Sequence, residues 1–301
     1  MGCYLLKICY NDCIISINCE ANTMVHIITD SAADLQPQEY ENFGVTCIPL
    51  RVAFGDREYQ ENVDLGKEQF YELLLGSEEF PKTSQASPQL LADLFENAKN
   101  NGDEAIYITL SSSLSGTYQT ALMVREDAEY EGAYVFDSRN ATGGQRILVE
   151  YACRLRDEGK NAAEIVAGLE SIRDRIELYA VVNTLEYLHK GGRISHAVYT
   201  LGNLAQIKPI ISVDTEGRVA LPGKVMGMRK GMDFLGKRLA ARKPDGAHPL
   251  YVMYTNNRSV AETLAQRLET NGWKPDGIIQ VGAAIGAHVG PDACGIVYLG
   301  E

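Results

Sequence analysis

Three short β-rich runs each stop at a polar, hydroxyl-bearing loop, and this recurrence constrains the fold more than any other feature. Val25-His26-Ile27-Ile28-Thr29 runs into Asp30-Ser31. Ala105 to Leu110 runs into Ser111, and Ala133-Tyr134-Val135-Phe136 runs into Asp137-Ser138. An apolar strand cut off by polar residues is how a parallel sheet presents loops at its C-terminal edge. Helical patterns fill the intervals. Ser87-Pro88 supplies a capping hydroxyl and a proline at the first helical position, and Leu90, Leu91, Leu94, Phe95 and Ala98 share a face. Tyr118 to Asp127 reads as a helix, and so does Gln145 to Glu158, closed by Gly159 in a left-handed cap. The alternation predicts an α/β fold with a parallel sheet over residues 24–175.

The remainder, 176–301, has a different rhythm. A helix from Ala162 to Ile176 leads into the strand Tyr179 to Val182. Lys190-Gly191-Gly192-Arg193 is a turn ahead of a helix starting near Ile194. Pro209 to Val213 and Arg218 to Leu221 flank Asp214-Thr215-Glu216-Gly217 and predict an antiparallel hairpin. A helix near Lys230 to Ala241 and a strand from Leu250 to Tyr254 follow. Ser259 and Glu262 form a capping-box pattern opening a helix to Thr270. Ile278 to Val281 and Gly295 to Leu299 read as strands. This half is expected to be a second, α+β domain. With 301 residues the chain is long enough for roughly two domains. Two domains without a flexible tether usually face each other across a cleft.

Composition narrows the partners. Apolar residues make up 45% and charged residues 23%, ordinary globular proportions that exclude a disordered or collagen-like chain. Against 28 Lys and Arg stand 40 Asp and Glu, a formal charge of −12. Such a surface repels phosphate backbones and anionic lipid, so neither nucleic acid nor stable membrane insertion is expected. No stretch reaches the roughly 18 consecutive apolar residues of a spanning helix. Four of the seven cysteines, Cys3, Cys9, Cys13 and Cys19, crowd the first residues, and Cys47, Cys153 and Cys294 are scattered. An odd total without paired spacing predicts a reducing, cytoplasmic setting, and without Cys-x-x-Cys hooks no zinc site is expected. Met1 to Thr23 reads as an atypical extension. It has no clean signal-peptide core, and Leu6 stands where a myristoylation motif needs Ser or Thr. The expected reading is a misassigned start, with the body of the chain beginning at Met24; the other is a loosely attached strand or tail.

Four polar loops carry the functional readings. Asp30 or Ser31 suits a helix cap. Phe80 to Pro88 sets two prolines around Thr83, Ser84 and Gln85, of which capping explains none. Ser111 to Thr117 has five hydroxyls in seven residues before a helix N-terminus; it reads as an anion or carboxylate cradle, or else as a solvated turn. It is neither a Walker loop nor a Gly-x-Ser-x-Gly elbow. Gly286-Ala287-His288-Val289-Gly290-Pro291 holds a histidine between glycines that permit tight geometry.

Taken in order, these loops resemble the DegV family. The resemblance rests on Thr29-Asp30-Ser31-x-Ala33-Asp34-Leu35, Lys82-Thr83-Ser84-Gln85-x-Ser87-Pro88 and Ser111-Ser112-x-Leu114-Ser115-Gly116-Thr117-Tyr118. Tyr187-Leu188-x-x-Gly191-Gly192-Arg193-Ile194, Lys208-Pro209-Ile210 and His288-x-Gly290-Pro291 complete it. Ala86 stands where many members have Pro, and the Gly286 stretch departs from a fuller Gly-Pro-Gly type. The resemblance covers Met24 to the C-terminus. It implies a two-domain fold with one long-chain fatty acid between the domains. The carboxylate would be held by Thr83, Ser115 and His288, with Ser84, Gly116, Thr117, Asp30 and Ser31 in support. It further implies no catalysis by this chain, no cofactor and no metal. A separate ATP-binding fatty acid kinase subunit would phosphorylate the presented carboxylate for phospholipid synthesis, meeting a basic pair at Arg229 and Lys230. Hydroxyl and imidazole donors would orient the carboxylate without an Arg clamp, leaving an oxygen able to attack ATP. Two other readings stay open: a stand-alone hydrolase or acyltransferase with Ser115 as nucleophile and His288 as base, or a binder of another small carboxylate.

Overall fold

The computed structural model describes residues 23–202 and 207–301. The expected extension, with its four cysteines, lies outside the described residues except for Thr23. Of the other thiols, Cys47, Cys153 and Cys294 are free.

The three polar-stopped runs are strands of one parallel sheet. β1 (Val25–Asp30), β2 (Val45–Ile48), β6 (Glu104–Thr109) and β7 (Ala133–Asp137) lie in the order β2-β1-β6-β7. Thr29 pairs with Ile108, and Thr109 with Asp137, so the polar stops share one edge. Helices α3 (Pro88–Asn101) and α4 (Thr117–Ala128) cover one face, where Leu91, Phe95 and Val124 meet Ile28 and Tyr107. The Ser87 hydroxyl caps α3 at Leu90 N–H as expected, but Leu90 itself is exposed, outside the buried stripe.

The second sheet has six strands in the order β10-β9-β8-β13-β11-β12. They are β8 (Ile176–Val181), β9 (Ile207–Val213), β10 (Val219–Met226), β11 (Tyr251–Tyr254), β12 (Gly277–Gln280) and β13 (Cys294–Leu299). Only β11 and β12 run parallel. The hairpin β9–β10 is the predicted one, with β10 continuing past a bulge to Met226. Helices α9 (Gly227–Ala241) and α10 (Arg258–Thr270) cover the far face, packing Leu235, Leu239 and Leu264 on Val181, Val252 and Ile296.

Between the sheets lie α5 (Gly143–Asp157) and α6 (Ala162–Arg173). Ile147, Leu148 and Val149 of α5 share one apolar cluster with Ile27 and Ile106 of the first sheet and Leu178 and Val297 of the second. The central strands β8 and β13 are thus buried on both faces, which is why they read as nearly continuous apolar runs.

Two expectations fail locally. The helix read to Ile176 ends at Arg173, because Ile176 pairs with Leu299 as the first residue of β8. Asn257, not Ser259, caps α10: its Oδ1 accepts the Ser259 N–H at 3.2 Å and hydroxyl at 2.7 Å, and Glu262 pairs instead with Arg258. A small antiparallel sheet, β4-β3-β5, is added by β3 (Arg51–Phe54), β4 (Arg57–Gln60) and β5 (Lys82–Ser84). Its strands of three and four residues are too short to show a period. Five short or intermediate helices remain: α1 (Pro37–Phe43), α2 (Lys67–Gly76), α7 (Glu186–Lys190), α8 (His196–Gly202) and α11 (Ala283–Val289), which carries His288.

Candidate functional site

A cavity of about 430 Å³ lies in the middle layer, beside the N-terminus of α5. That is within the ~300–1,000 Å³ of small-molecule sites. Its floor is the second sheet. One register row crosses that sheet as Met253, Gly295, Ala180 and Ile211, and all four line the cavity. The two central positions carry almost no side chain. In a close-packed interior, missing side-chain volume at adjacent central strands is what leaves room. The opposite wall is aliphatic, with Leu50, Leu110, Ala284, Ile285 and Val289.

Several polar groups gather at one edge, and Thr142, Ser212, Tyr254 and Thr255 line the cavity as well. Thr83 comes from β5, Ser115 and Gly116 from the loop before α4, His288 from α11, and Arg193 from the turn after α7. Thr83 Oγ1 and His288 Nε2 are 2.8 Å apart. His288 Nδ1 faces Gly191, where a Cβ would come within 2.1 Å of it. Nδ1 has no hydrogen-bonding partner among the described residues. An orphaned N–H is costlier in the interior than a bare lone pair. The proton therefore belongs on Nε2, which donates to Thr83 Oγ1 and leaves the threonine proton to donate into the cavity. Burial, with the Arg193 charge behind it, pushes His288 down to about 3, so the ring is neutral at ordinary pH.

Ser115 is arranged in a comparable way. Its Oγ accepts the Thr117 N–H at 3.2 Å and lies 2.9 Å from Thr117 Oγ1. When both Thr117 groups donate, the serine proton is free for a ligand. Arg193 belongs to the Gly191-Gly192-Arg193 motif, and the sequence by itself assigns it no role. Its Nε donates to Leu114 O at 3.0 Å and a terminal nitrogen to Gly191 O at 2.5 Å, tying the Ser115 loop to the turn that packs on His288. The edge thus contains an arginine, whose two named bonds go to backbone carbonyls.

The cavity brings together Thr83, Ser84, Ser115, Gly116 and His288. It does not bring in the rest. Of the five hydroxyls of Ser111 to Thr117, only that of Ser115 lines it. Ser111 and Ser113 donate instead to Gly217 O (2.8 Å) and Glu216 O (2.7 Å) in the β9–β10 turn, clasping one sheet to the other. Asp30 is fully buried and accepts the Ala32 and Leu110 N–H groups and the Gln145 amide; burial pushes it up to about 6. Ser31 accepts the Leu50 N–H and donates to Glu61. Both act beneath the wall, through Leu110 and Leu50. Arg229 and Lys230 are exposed in the first turn of α9, away from the cavity lining. The Gly286 stretch is not a tight loop: Gly286 is inside α11, packed on Phe70 and Tyr71, and only Gly290, at φ 78°, turns the chain. Among the described residues no group of three or more His, Cys, Asp or Glu could hold a metal ion, and no helix is long and apolar enough to cross a membrane.

The fold and site define a class: an α/β protein with a largely apolar cavity between two sheets and hydroxyl, imidazole and guanidinium groups at one edge of it. The model described as "Uncharacterised protein, DegV family" matches residues 24–301, and the chain belongs to the DegV family. A DegV domain-containing protein of Caldanaerobacter subterraneus subsp. tengcongensis is 32% identical over 281 residues, 91% of this chain and 98% of that protein. A DegV family protein of Thermus thermophilus, described by its fatty acid binding, superposes with a TM-score of 0.84 at 28% identity, covering 93% of this chain and all of that one. The fatty acid binding DegV family protein of Streptococcus agalactiae superposes at 0.82 with 29% identity, covering 92% and 99%.

Proposed function

We propose that this protein binds one long-chain fatty acid between domains 24–175 and 176–301 and presents its carboxylate to a separate ATP-dependent kinase subunit. The acyl tail lies over the Gly295–Ala180 floor. The carboxylate accepts hydrogen bonds from Thr83 and Ser115, with His288 holding Thr83 and Ser84 and Gly116 completing the edge. The observation that carries this reading is a largely aliphatic cavity at one edge of which the Thr83 and Ser115 hydroxyls and the neutral His288 ring gather, while Arg193 beside them gives its two named bonds to backbone carbonyls. Fatty acid binding by solved relatives supports it. Arg229 and Lys230 form the surface offered to the kinase, and the chain itself turns nothing over.

The hydrolase reading has little in its favour. Ser115 Oγ is engaged by Thr117, and the His288 partner is Thr83, not Ser115. Among the described residues no carboxylate orients Nδ1, and a ring held near 3 is a weak base at neutral pH. Native mass spectrometry of the freshly purified chain, followed by extraction of what it carries, tests the proposal. One fatty acid per chain is expected. A polar acid, or no uptake after incubation with fatty acids, would sink it.

A further inference from the structure

The seam between the sheets holds charged side chains that the cavity does not use directly. Asp34 closes the turn after β1, Glu61 follows β4, and Lys67 opens α2; their exposures are 0%, 1% and 5%. The Asp34 carboxylate accepts the Thr142 hydroxyl at 2.5 Å and the Gly282 N–H at 2.7 Å. The Glu61 carboxylate accepts the Ser31 hydroxyl at 2.6 Å and the Ala284 N–H at 3.2 Å. Lys67 Nζ donates to Asp34 O and Gln280 O, and lies 3.6 Å from Asp34 Oδ1. Two carboxylates against one ammonium are expensive to bury, and removing one partner is strongly destabilising. Such a cluster persists where hydrogen bonds engage the carboxylate oxygens.

What it engages is the start of α11. Gly282 is the cap residue of that helix and Ala284 its second residue. The helix has seven residues and no side-chain cap of its own, too few to hold its shape unaided. Gly282 has no room for a side chain: a Cβ there would meet Glu61 Oε1 at 2.1 Å and Asp34 Oδ1 at 2.7 Å. On the other side, Thr142 is held at φ 48°, a strained conformation for a β-branched residue, by its N–H on Ala32 O and its hydroxyl on Asp34. Thr142 also lines the cavity. His288 stands four residues beyond Ala284, roughly 6 Å along the helix at 1.5 Å per residue.

We propose that Asp34 and Glu61 are positioning residues for the carboxylate site: they hold the first turn of α11 so that His288, at its other end, meets Thr83. The proposal rests on the fatty acid reading above. It predicts an effect on the head group and not on the tail. The test compares hexadecanoic acid with hexadecan-1-ol, which has the same tail without the carboxylate, on the full-length chain. Wild type is expected to prefer the acid. Asp34→Ala is expected to lose at least about tenfold of that preference, one charge-assisted hydrogen bond misplaced, while its affinity for the alcohol holds. Glu61→Gln, which keeps an acceptor for the Ala284 N–H, is expected to retain the preference. Equal losses for both ligands, or an unchanged preference, overturn the proposal. If Asp34→Ala does not fold, Glu61→Ala leaves the Asp34–Lys67 pair in place, and the same two outcomes decide. A wild-type chain that binds acid and alcohol alike overturns the head-group reading itself, a result distinct from failure in the variants.

Discussion

Replacing Thr83 by Val removes one hydroxyl while leaving the side-chain shape nearly intact. In the native edge, Thr83 Oγ1 lies 2.8 Å from His288 Nε2, and the tautomer argued above leaves its proton for the ligand. A hydrogen bond to a charged acceptor contributes about 1.5–3 kcal/mol. Thr83 is only half-buried, and the bound carboxylate could accept from Nε2 directly, so the loss should fall toward the lower end. At 1.4 kcal/mol per factor of ten, Thr83→Val should weaken fatty acid binding by about 10-fold, and by no more than about 150-fold. Titration of the delipidated chain with hexadecanoic acid, by calorimetry or displacement of a fluorescent acid, measures this. Thr83→Ser should restore most of the affinity, because the hydroxyl alone carries the effect. A Kd for Thr83→Val within about twofold of wild type, under ~0.5 kcal/mol, would refute both the tautomer and the place of Thr83 in the head-group site.

Ala180→Leu puts about three carbons into the cavity floor, where the register row leaves space. At ~0.8 kcal/mol per buried CH₂, it should weaken long-chain acids by about 2 kcal/mol, and an unchanged chain length and affinity for the extracted ligand would argue against a tail at this floor. Burial pushes Glu61 up to about 7 from an ordinary 4.5. Its folded state therefore holds a proton that the unfolded state has released, and wild type loses stability as pH rises from about 4.5 through 7. Glu61→Gln is free of this term, so denaturant melts should find it gaining on wild type between pH 5 and pH 8, by up to ~3 kcal/mol; a pH-independent difference counts against the buried, proton-holding carboxylate. Arg229→Glu with Lys230→Glu should abolish ATP-dependent acyl phosphate formation by the proposed kinase subunit while fatty acid binding stays at wild-type strength. Intact transfer in that variant would remove the pair from the proposed contact.

Much of the scaffold was legible because it depends on neighbours in sequence. Apolar runs with polar stops mark β1, β6 and β7, and the Ser87 cap with Pro88 marks α3. A left-handed Gly159 follows α5 as the pattern requires. Where local signals compete, reading fails. Asn257 and Ser259 are both good caps, and only the chain's approach to α10 decides that Asn257 takes the N–H. The small sheet escaped because strands of three or four residues have no period to display.

For the candidate site, the sequence alone offers a threonine, a serine and a histidine, each in a loop pattern the DegV family shares, and an alternation that requires a layered α/β fold, but it gives Arg193 no role. Tertiary structure decides the rest. Thr83 and His288 are 205 positions apart, and nothing local to either says that they share a proton. The cavity exists because β13 inserts between β8 and β11 in a register that sets Gly295 beside Ala180, a pairing that neither strand encodes by itself. Ser111 and Ser113 look identical to Ser115 in the sequence, yet the β9–β10 turn takes them and leaves Ser115 facing the cavity. Residue chemistry is a property of the chain, whereas which donors remain unspent is a property of long-range packing, because every donor the fold engages elsewhere is lost to the ligand.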